Sequence, residues 1–133
     1  MSGQDNRQVV QGVFDAFGRG DIPGVLALLS EDVLWEVIGS PDWAPYYGPR
    51  RGHEGAVEFF RQLGGNVEFE SFEPQEFIEG RDAVVVLGRE RGRVRATGKT
   101  FEQEWAMVFT VSGGKVTGFR CYENTAAVAE AFE

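Results

Sequence analysis

Few residues in this chain are of a type that does chemistry, and Glu123 stands first among them. It lies at the end of an alternating run in which Phe119 and Cys121 take the same side, with Gln103 on the facing run. A carboxylate in apolar surroundings has its charged form penalised and its pKa pushed toward neutrality, the condition for a general acid or base. The competing reading puts Glu123 at a strand end with its carboxylate in water. Gln103 either orients a ligand carbonyl or holds Glu123. Tyr46, in a loop beside prolines, either donates its phenol to a substrate oxygen or plugs the core with its ring. His53, at a helix start, is a proton shuttle or a capping and surface residue. Cys121 reads as a small buried hydrophobe with no activating base beside it. Arg89, Glu90, Arg91 and Arg93 can bind an anion, or form a solvated strand with cross-strand pairs.

The stretch that must position these groups is residues 99–124. Phe101, Gln103, Trp105, Met107, Phe109 and Val111 alternate with Glu102, Glu104, Ala106, Val108 and Thr110, the period of a strand with one buried face. Ser112-Gly113-Gly114-Lys115 turns the chain back. A glycine at the third loop position predicts a three-residue turn with a bulge, which puts Thr117, Phe119, Cys121 and Glu123 on the Trp105 face. Residues 82–96 form the preceding strand, with a charged half that must be solvated or paired. Residues 67–79 form another, in which Pro74 implies a bulge or a sheet edge.

The first half of the chain reads as helical. Val10, Val13, Phe14 and Phe17 recur at helical spacing over residues 5–18, with Asp5 as N-cap. Asp21 caps a second helix with Pro23 in its first turn and Val25, Leu26, Leu28 and Leu29 as its buried stripe. Residues 33–38 are a short strand with Val33, Trp35 and Val37 on one face. Residues 39–52 are dense in Pro and Gly and continue neither helix nor sheet, so Trp43, Tyr46 and Tyr47 sit in a packed cover or a mobile lid. Residues 54–63 form a third helix with Ala56, Val57, Phe59, Phe60 and Leu63 inward, ended by Gly64-Gly65. Asn124 or Thr125 caps a short C-terminal helix.

The composition narrows the function classes. A chain of 133 residues with 42% hydrophobic and 26% charged residues makes one globular domain, residues 1–133. A formal charge of −8 repels phosphate backbones and anionic lipid, against nucleic-acid and membrane partners. One cysteine and one histidine make neither an internal disulfide nor a histidine-rich metal site. With no signal-peptide core and no apolar run of membrane-spanning length, the expected location is cytoplasmic.

Gly20-Asp21, the run from Leu28 to Val33, Tyr47-Gly48 with Gly52, and Gly114-Lys115-Val116 leading to Arg120-Cys121-Tyr122-Glu123-Asn124 occur in an order and spacing that resemble one family. It is the SnoaL-like branch of the nuclear transport factor 2-like, or ketosteroid isomerase-like, superfamily. The resemblance covers nearly the whole chain. It implies an α+β fold, a cone-shaped curved antiparallel sheet of four to five strands packed on three helices from the N-terminal half (a cystatin-like α+β roll). It also implies a cavity between helices and sheet, and a homodimer through the outer sheet face. Carried over by residue, the steroid isomerases' base aspartate falls at Val37, their phenolic donor at Val13 and their protonated acid near Met107, which removes that machinery. No Asp-Arg-Asp set of the epoxide hydrolase type is placed, and the dehydratase pattern needs two histidines where only His53 exists.

The expectation is therefore a protein that holds a small hydrophobic ligand without a cofactor or metal. Trp35, Val37, Trp43, Phe60, Gln103, Trp105, Met107, Phe119 and Cys121 are the expected pocket residues. Glu123 is the acid or base and Tyr46 the donor of a cofactor-independent isomerase, cyclase or hydrolase acting on a hydrophobic carbonyl or polyketide-like compound. The alternative is a non-catalytic binding domain on the same scaffold.

Overall fold

The computed structural model describes residues 3–133, with side chains from Asn6 onward. Helix α1 (Gly3–Gly18) and the short α2 (Ile22–Leu26) precede strand β1 (Leu29–Val37) and strand β2 (Gly48–Arg51). Helix α3 (Gly52–Asn66) leads into strands β3 (Val67–Glu79), β4 (Ala83–Val94), β5 (Thr100–Ser112) and β6 (Lys115–Tyr122), and α4 (Thr125–Phe132) closes the chain. The six strands make one sheet in the order β2-β1-β6-β5-β4-β3. The α+β class is as expected, but the sheet is mixed rather than antiparallel, because β1 runs parallel to β6. It has six strands because residues 48–51, expected in an irregular loop, pair with β1.

Side-chain pattern explains most of these elements. Val10 and Val13 are buried on α1, and Phe14 and Phe17 pack half-buried against the core. Each fully buried valine or phenylalanine contributes about 1.5–3 kcal/mol relative to exposure. Helix α1 starts at Gly3, so Asp5 lies within it rather than capping it, and the Asp5 side chain falls outside the described residues. Asp21 does cap α2, accepting the Gly24 N–H at 2.9 Å. That helix ends at Leu26, earlier than its apolar run suggests, because the Leu28 carbonyl accepts the Val116 N–H and the chain joins the parallel ladder. Leu29 is thus a strand residue.

Helix α3 runs through Gly64 and Gly65 instead of stopping there. Two helical glycines cost about 1 kcal/mol each, but Arg95 ties down the helix end. Its backbone N–H donates to the Asn66 carbonyl at 2.9 Å and its Nε to the Gly64 carbonyl at 3.0 Å. Ala56, Phe59 and Leu63 face the core, whereas Val57, expected inward, is 41% exposed because it falls one helical step off that stripe.

On the sheet, Pro74 lies on the edge strand β3 beside a register shift, as expected. The turn after β5 differs from its expected form. Ser112 pairs with Lys115, leaving Gly113 and Gly114 with φ of 59° and 78° as a two-residue turn. The bulge sits further on, at Thr117, since Val111 pairs with Val116 and Thr110 with Gly118. Val116 therefore takes the buried place expected for Thr117, and Phe119 and Cys121 still share the Trp105 face. On β4, Gly88 and Gly92 leave room for the rings of Trp105 and Phe101, which a Cβ would meet at 2.5 and 2.7 Å. Of the two candidates, Asn124 is the cap of α4, accepting the Ala127 N–H at 3.1 Å.

Candidate functional site

Two adjoining features occupy the space between helices and sheet. One is a cluster of polar side chains around Glu123, the other a small apolar cavity walled by aromatic rings.

The cluster is built from strand ends and the loop at residues 38–47. Glu123 follows the last residue of β6 and is half-buried. The Tyr47 hydroxyl donates to its Oε2 at 2.5 Å, and the Cys121 thiol lies 3.6 Å from its Oε1. Tyr47 reaches it because Gly39 has no Cβ, which would sit 2.5 Å from the Tyr47 ring. The loop is anchored at its start by the Ile38 N–H, which donates to the Cys121 carbonyl at 3.0 Å. On β5, Gln103 is buried at 6% exposure and works in two directions. Its Nε2 donates to Glu90 Oε2 at 3.0 Å, and its Oε1 accepts the Asn124 N–H at 2.8 Å, next to Glu123.

Glu90, 6% exposed, is the residue that sequence reasoning missed. It lies in the charged half of β4, whose Arg89, Arg91 and Arg93 point outward and pair with Glu102, Glu70 and Glu68. The signal was present: Val84, Val86, Gly88, Glu90, Gly92 and Val94 are the alternate, buried positions of that strand. Burial, reinforced by the charge of Glu123, pushes the Glu90 pKa up to about 8. Burial also raises Glu123, while hydrogen bonds from Tyr47, Gln103 and Cys121 pull it back. Both carboxyl groups are thus held above the ordinary glutamate range, Glu90 by burial and the Glu123 charge, Glu123 by burial working against its donors.

Tyr46, the expected donor, is buried at 3% exposure and packs edge-on against the Tyr47 ring at 5.2 Å. Burial and then the charges of Glu123 and Glu90 raise its pKa, which keeps the phenol protonated. Among the described residues its hydroxyl has no hydrogen-bond partner, whereas the Tyr47 hydroxyl is engaged. Nothing in the sequence distinguished one adjacent tyrosine from the other. The loop is thus a packed cover in its second half, with Ala44, Tyr46 and Tyr47 buried. His53 Nε2 lies 3.0 Å from the Leu29 carbonyl, tying the start of α3 to β1 rather than joining the cluster. Burial raises the Cys121 thiol well above its usual range.

The cavity has a volume of about 60 Å³ and is walled chiefly by Phe14, Phe17, Trp35, Phe59, Phe60 and Phe119, with Met107. Four of the expected pocket residues, Trp35, Phe60, Met107 and Phe119, line it. Val37, Gln103, Trp105 and Cys121 are buried outside its walls, and Trp43 is 47% exposed. The expected hollow is therefore largely filled by rings, well below the ~300–1,000 Å³ of small-molecule sites. Met107 lies across from Cys121 on the sheet, and Phe59 contacts the Tyr46 ring at 6.3 Å. The indole Nε1 atoms of Trp35 and Trp105 are buried with no partner among the described residues. A sealed donor left unpaired costs about 1–3 kcal/mol.

Comparison with known proteins agrees with this architecture. A family model for the SnoaL-like domain matches residues 10–119. An NTF2-like protein from Burkholderia xenovorans LB400 is similar over 100% of this chain and 99% of its own, at 40% identity and a TM-score of 0.91. An NTF2-like protein of unknown function from Burkholderia pseudomallei K96243 is 30% identical over 98% of each chain, with a TM-score of 0.88. TerC, co-crystallised with polyporic acid, is 27% identical over 96% of this chain and 97% of its own, with a TM-score of 0.83. No curated protein matches the chain significantly.

Proposed function

The chain belongs to the SnoaL-like domain family, and from that premise we propose that it is a cofactor-independent acid-base enzyme acting on a hydrophobic carbonyl compound. The observation that carries this reading is the pair of carboxyl groups, half-buried Glu123 held by Tyr47 at 2.5 Å and buried Glu90 held by Gln103 at 3.0 Å. At neutral pH Glu90, with a pKa of about 8, keeps its proton, and we take Glu123, which burial raises while Tyr47, Gln103 and Cys121 pull it back, as the base of the pair. Glu123 would take a proton from the carbon beside a carbonyl and return it at another position. The oxygen that gains charge in that step would be met by the free hydroxyl of Tyr46 or the acid proton of Glu90. Tyr47 is a positioning residue that holds Glu123. Reaching this cluster requires the substrate to move Met107, an unbranched and adaptable side chain.

The likeness to a protein co-crystallised with polyporic acid supports a hydrophobic, oxygen-bearing ligand for this chain. A thermal-shift screen of hydrophobic carbonyl compounds, followed by turnover assays on the hits, tests the reading. Glu123→Gln is expected to lower kcat by about 10²–10⁴ with little change in binding. Hits that bind but are converted by neither the wild type nor any variant would replace it with the second reading, a non-catalytic binding domain. That alternative is favoured by the apolar lining of the cavity and by the fact that both carboxyl groups already have partners within the chain.

The same proposal includes a homodimer through the outer sheet face. Leu34 and Tyr122 are exposed there on the neighbouring strands β1 and β6, and Val108, Val85 and Leu87 lie half-exposed on the next two, β5 and β4. Among the described residues no helix is long and apolar enough to cross a membrane. We place the protein in the cytoplasm, where its single thiol stays reduced.

A further inference from the structure

We infer that helix α4 is a pH-sensitive cover over the Glu90 side of the cluster, held down through Gln103 while Glu90 carries its proton and lifting as that proton is lost. The inference uses the geometry of the cluster and not its catalytic reading.

Gln103 stands between Glu90 and Asn124, the cap of that helix. The Asn124 N–H only donates, so it fixes the Gln103 amide with its oxygen toward α4, at 2.8 Å, and its Nε2 toward Glu90 Oε2, at 3.0 Å. The proton of neutral Glu90 is thereby confined to Oε1. Once it leaves, Oε1 carries charge with no donor within hydrogen-bonding distance among the described residues. Near it stand Glu123 and Cys121 from the end of β6 and Tyr46 from the loop, and Tyr47 is spent on Glu123. No cation is among them. Arg89 and Arg91 point outward to Glu102 and Glu70, and Phe72 is the residue opposite Glu90 on β3. On α1, Arg7 pairs with Glu79 and Asp15 is exposed, as are Glu130 and Glu133 in the C-terminal segment. Two buried acids that both ionise repel each other, which is why burial and the Glu123 charge hold the proton on Glu90. The remaining donor is water, and the closed structure leaves Glu90 only 6% exposed.

The hold on α4 is slight. Its eight residues are fewer than the about 12–15 that persist as a helix alone, so docking keeps it folded. Val128 and Ala131 are its buried residues. The Thr97 hydroxyl donates to the Ala131 carbonyl at 2.7 Å, and the Phe132 ring lies 6.1 Å from that of Tyr46. The two ends of the helix thus rest on Gln103 and Tyr46, neighbours of Glu90 on β5 and in the loop. Lifting it breaks the Asn124–Gln103 bond and lets water reach Oε1. Because the closed form binds the proton more tightly, losing the proton favours the open form.

Amide hydrogen exchange by NMR on the full chain tests this. Opening constants at Val128 to Phe132 are expected to exceed that at Phe109, in β5, which reports global unfolding. They are expected to rise about tenfold between about pH 6 and 8, after correction for intrinsic exchange, and to level off above that window. Glu90→Gln is expected to abolish the rise and hold α4 at its wild-type acid value. Gln103→Met, which breaks the relay, is expected to raise the opening at Val128 even at the acid end, and unchanged protection there overturns the inference. So does an α4 that opens only together with Phe109, a flat wild-type profile, or a rise that survives Glu90→Gln, which would point to Glu123 instead. If Glu90→Gln fails to fold, the wild type decides: ¹³C titration of the Glu90 carboxyl must end where the opening levels off, and a mismatch has the same force. None of these outcomes touches the catalytic reading, which is judged by the turnover of Glu123→Gln.

Discussion

Tyr47 donates its hydroxyl to Glu123 across a sequence separation of 76 residues, at 2.5 Å. The bond places a phenol where it stabilises the charged carboxylate, opposing the burial that raises the Glu123 pKa. Much of the protein's expected behaviour follows from that opposition.

Tyr47→Phe keeps the ring and removes only the donor. The Glu123 pKa is expected to rise further, and stability to fall by about 1.5 kcal/mol where Glu123 is ionised, the range for a hydrogen bond to a charged group. Side-chain carboxyl titration by NMR together with urea unfolding reads both effects. An unmoved Glu123 titration would mean that the bond does not control its charge.

Glu90 makes stability depend on pH with a definite sign. Its carboxyl binds a proton up to about pH 8 in the folded chain, against about 4.5 for an ordinary glutamate. Between those values the folded state holds more protons than the unfolded state, so stability falls as pH rises through that window. The slope is at most about 1.4 kcal/mol per pH unit. The raised pKa of Glu123 adds a slope of the same sign. Glu90→Gln is expected to flatten the dependence, so that urea midpoints of variant and wild type converge toward acid and diverge toward alkali. Parallel curves would show that Glu90 titrates normally.

Two glycines behave oppositely on replacement by alanine. At Gly88 a Cβ would lie 2.5 Å from the Trp105 ring and 2.6 Å from the Glu73 carbonyl oxygen, so Gly88→Ala is expected to cost about 1–3 kcal/mol. At Gly64 nothing lies within 4 Å and the backbone is helical, so Gly64→Ala is expected to gain about 0.4–1 kcal/mol. Thermal unfolding of the two variants side by side checks the pair. A stabilised Gly88→Ala would show that Trp105 does not need that space.

The outer-face dimer predicts that Leu87→Glu and Tyr122→Glu, both on the solvent side of the sheet, halve the mass seen in sedimentation without loss of helix or sheet signal. A wild type that sediments as a monomer removes the dimer proposal.

Alternation made the buried face of β5 legible from Phe101 to Val111, because side chains two apart on a strand must share a face. The same rule reached Glu90 and was overridden by the arginines around it. Composition says that a charged stretch is solvated, whereas the pleat says that every second residue of it is not. The extent of α3 was hidden for a related reason. Gly64-Gly65 is a local stop signal, and the Arg95 contacts that overrule it come from the end of the neighbouring strand β4, 31 residues further along the chain from Gly64.

By itself the sequence determined the order of the helices and of every strand but β2, the apolar side of most of them, and the family to which the chain belongs, since periodicity and turn residues act over a few positions. Only the tertiary structure decided that β1 lies parallel to β6, that Tyr47 rather than Tyr46 meets Glu123, and that Glu90 turns inward onto Gln103. It also decided that aromatic rings nearly fill the space under the helices. These are contacts between residues far apart in the chain, settled by how side chains of fixed volume pack together, and local spacing carries no record of that.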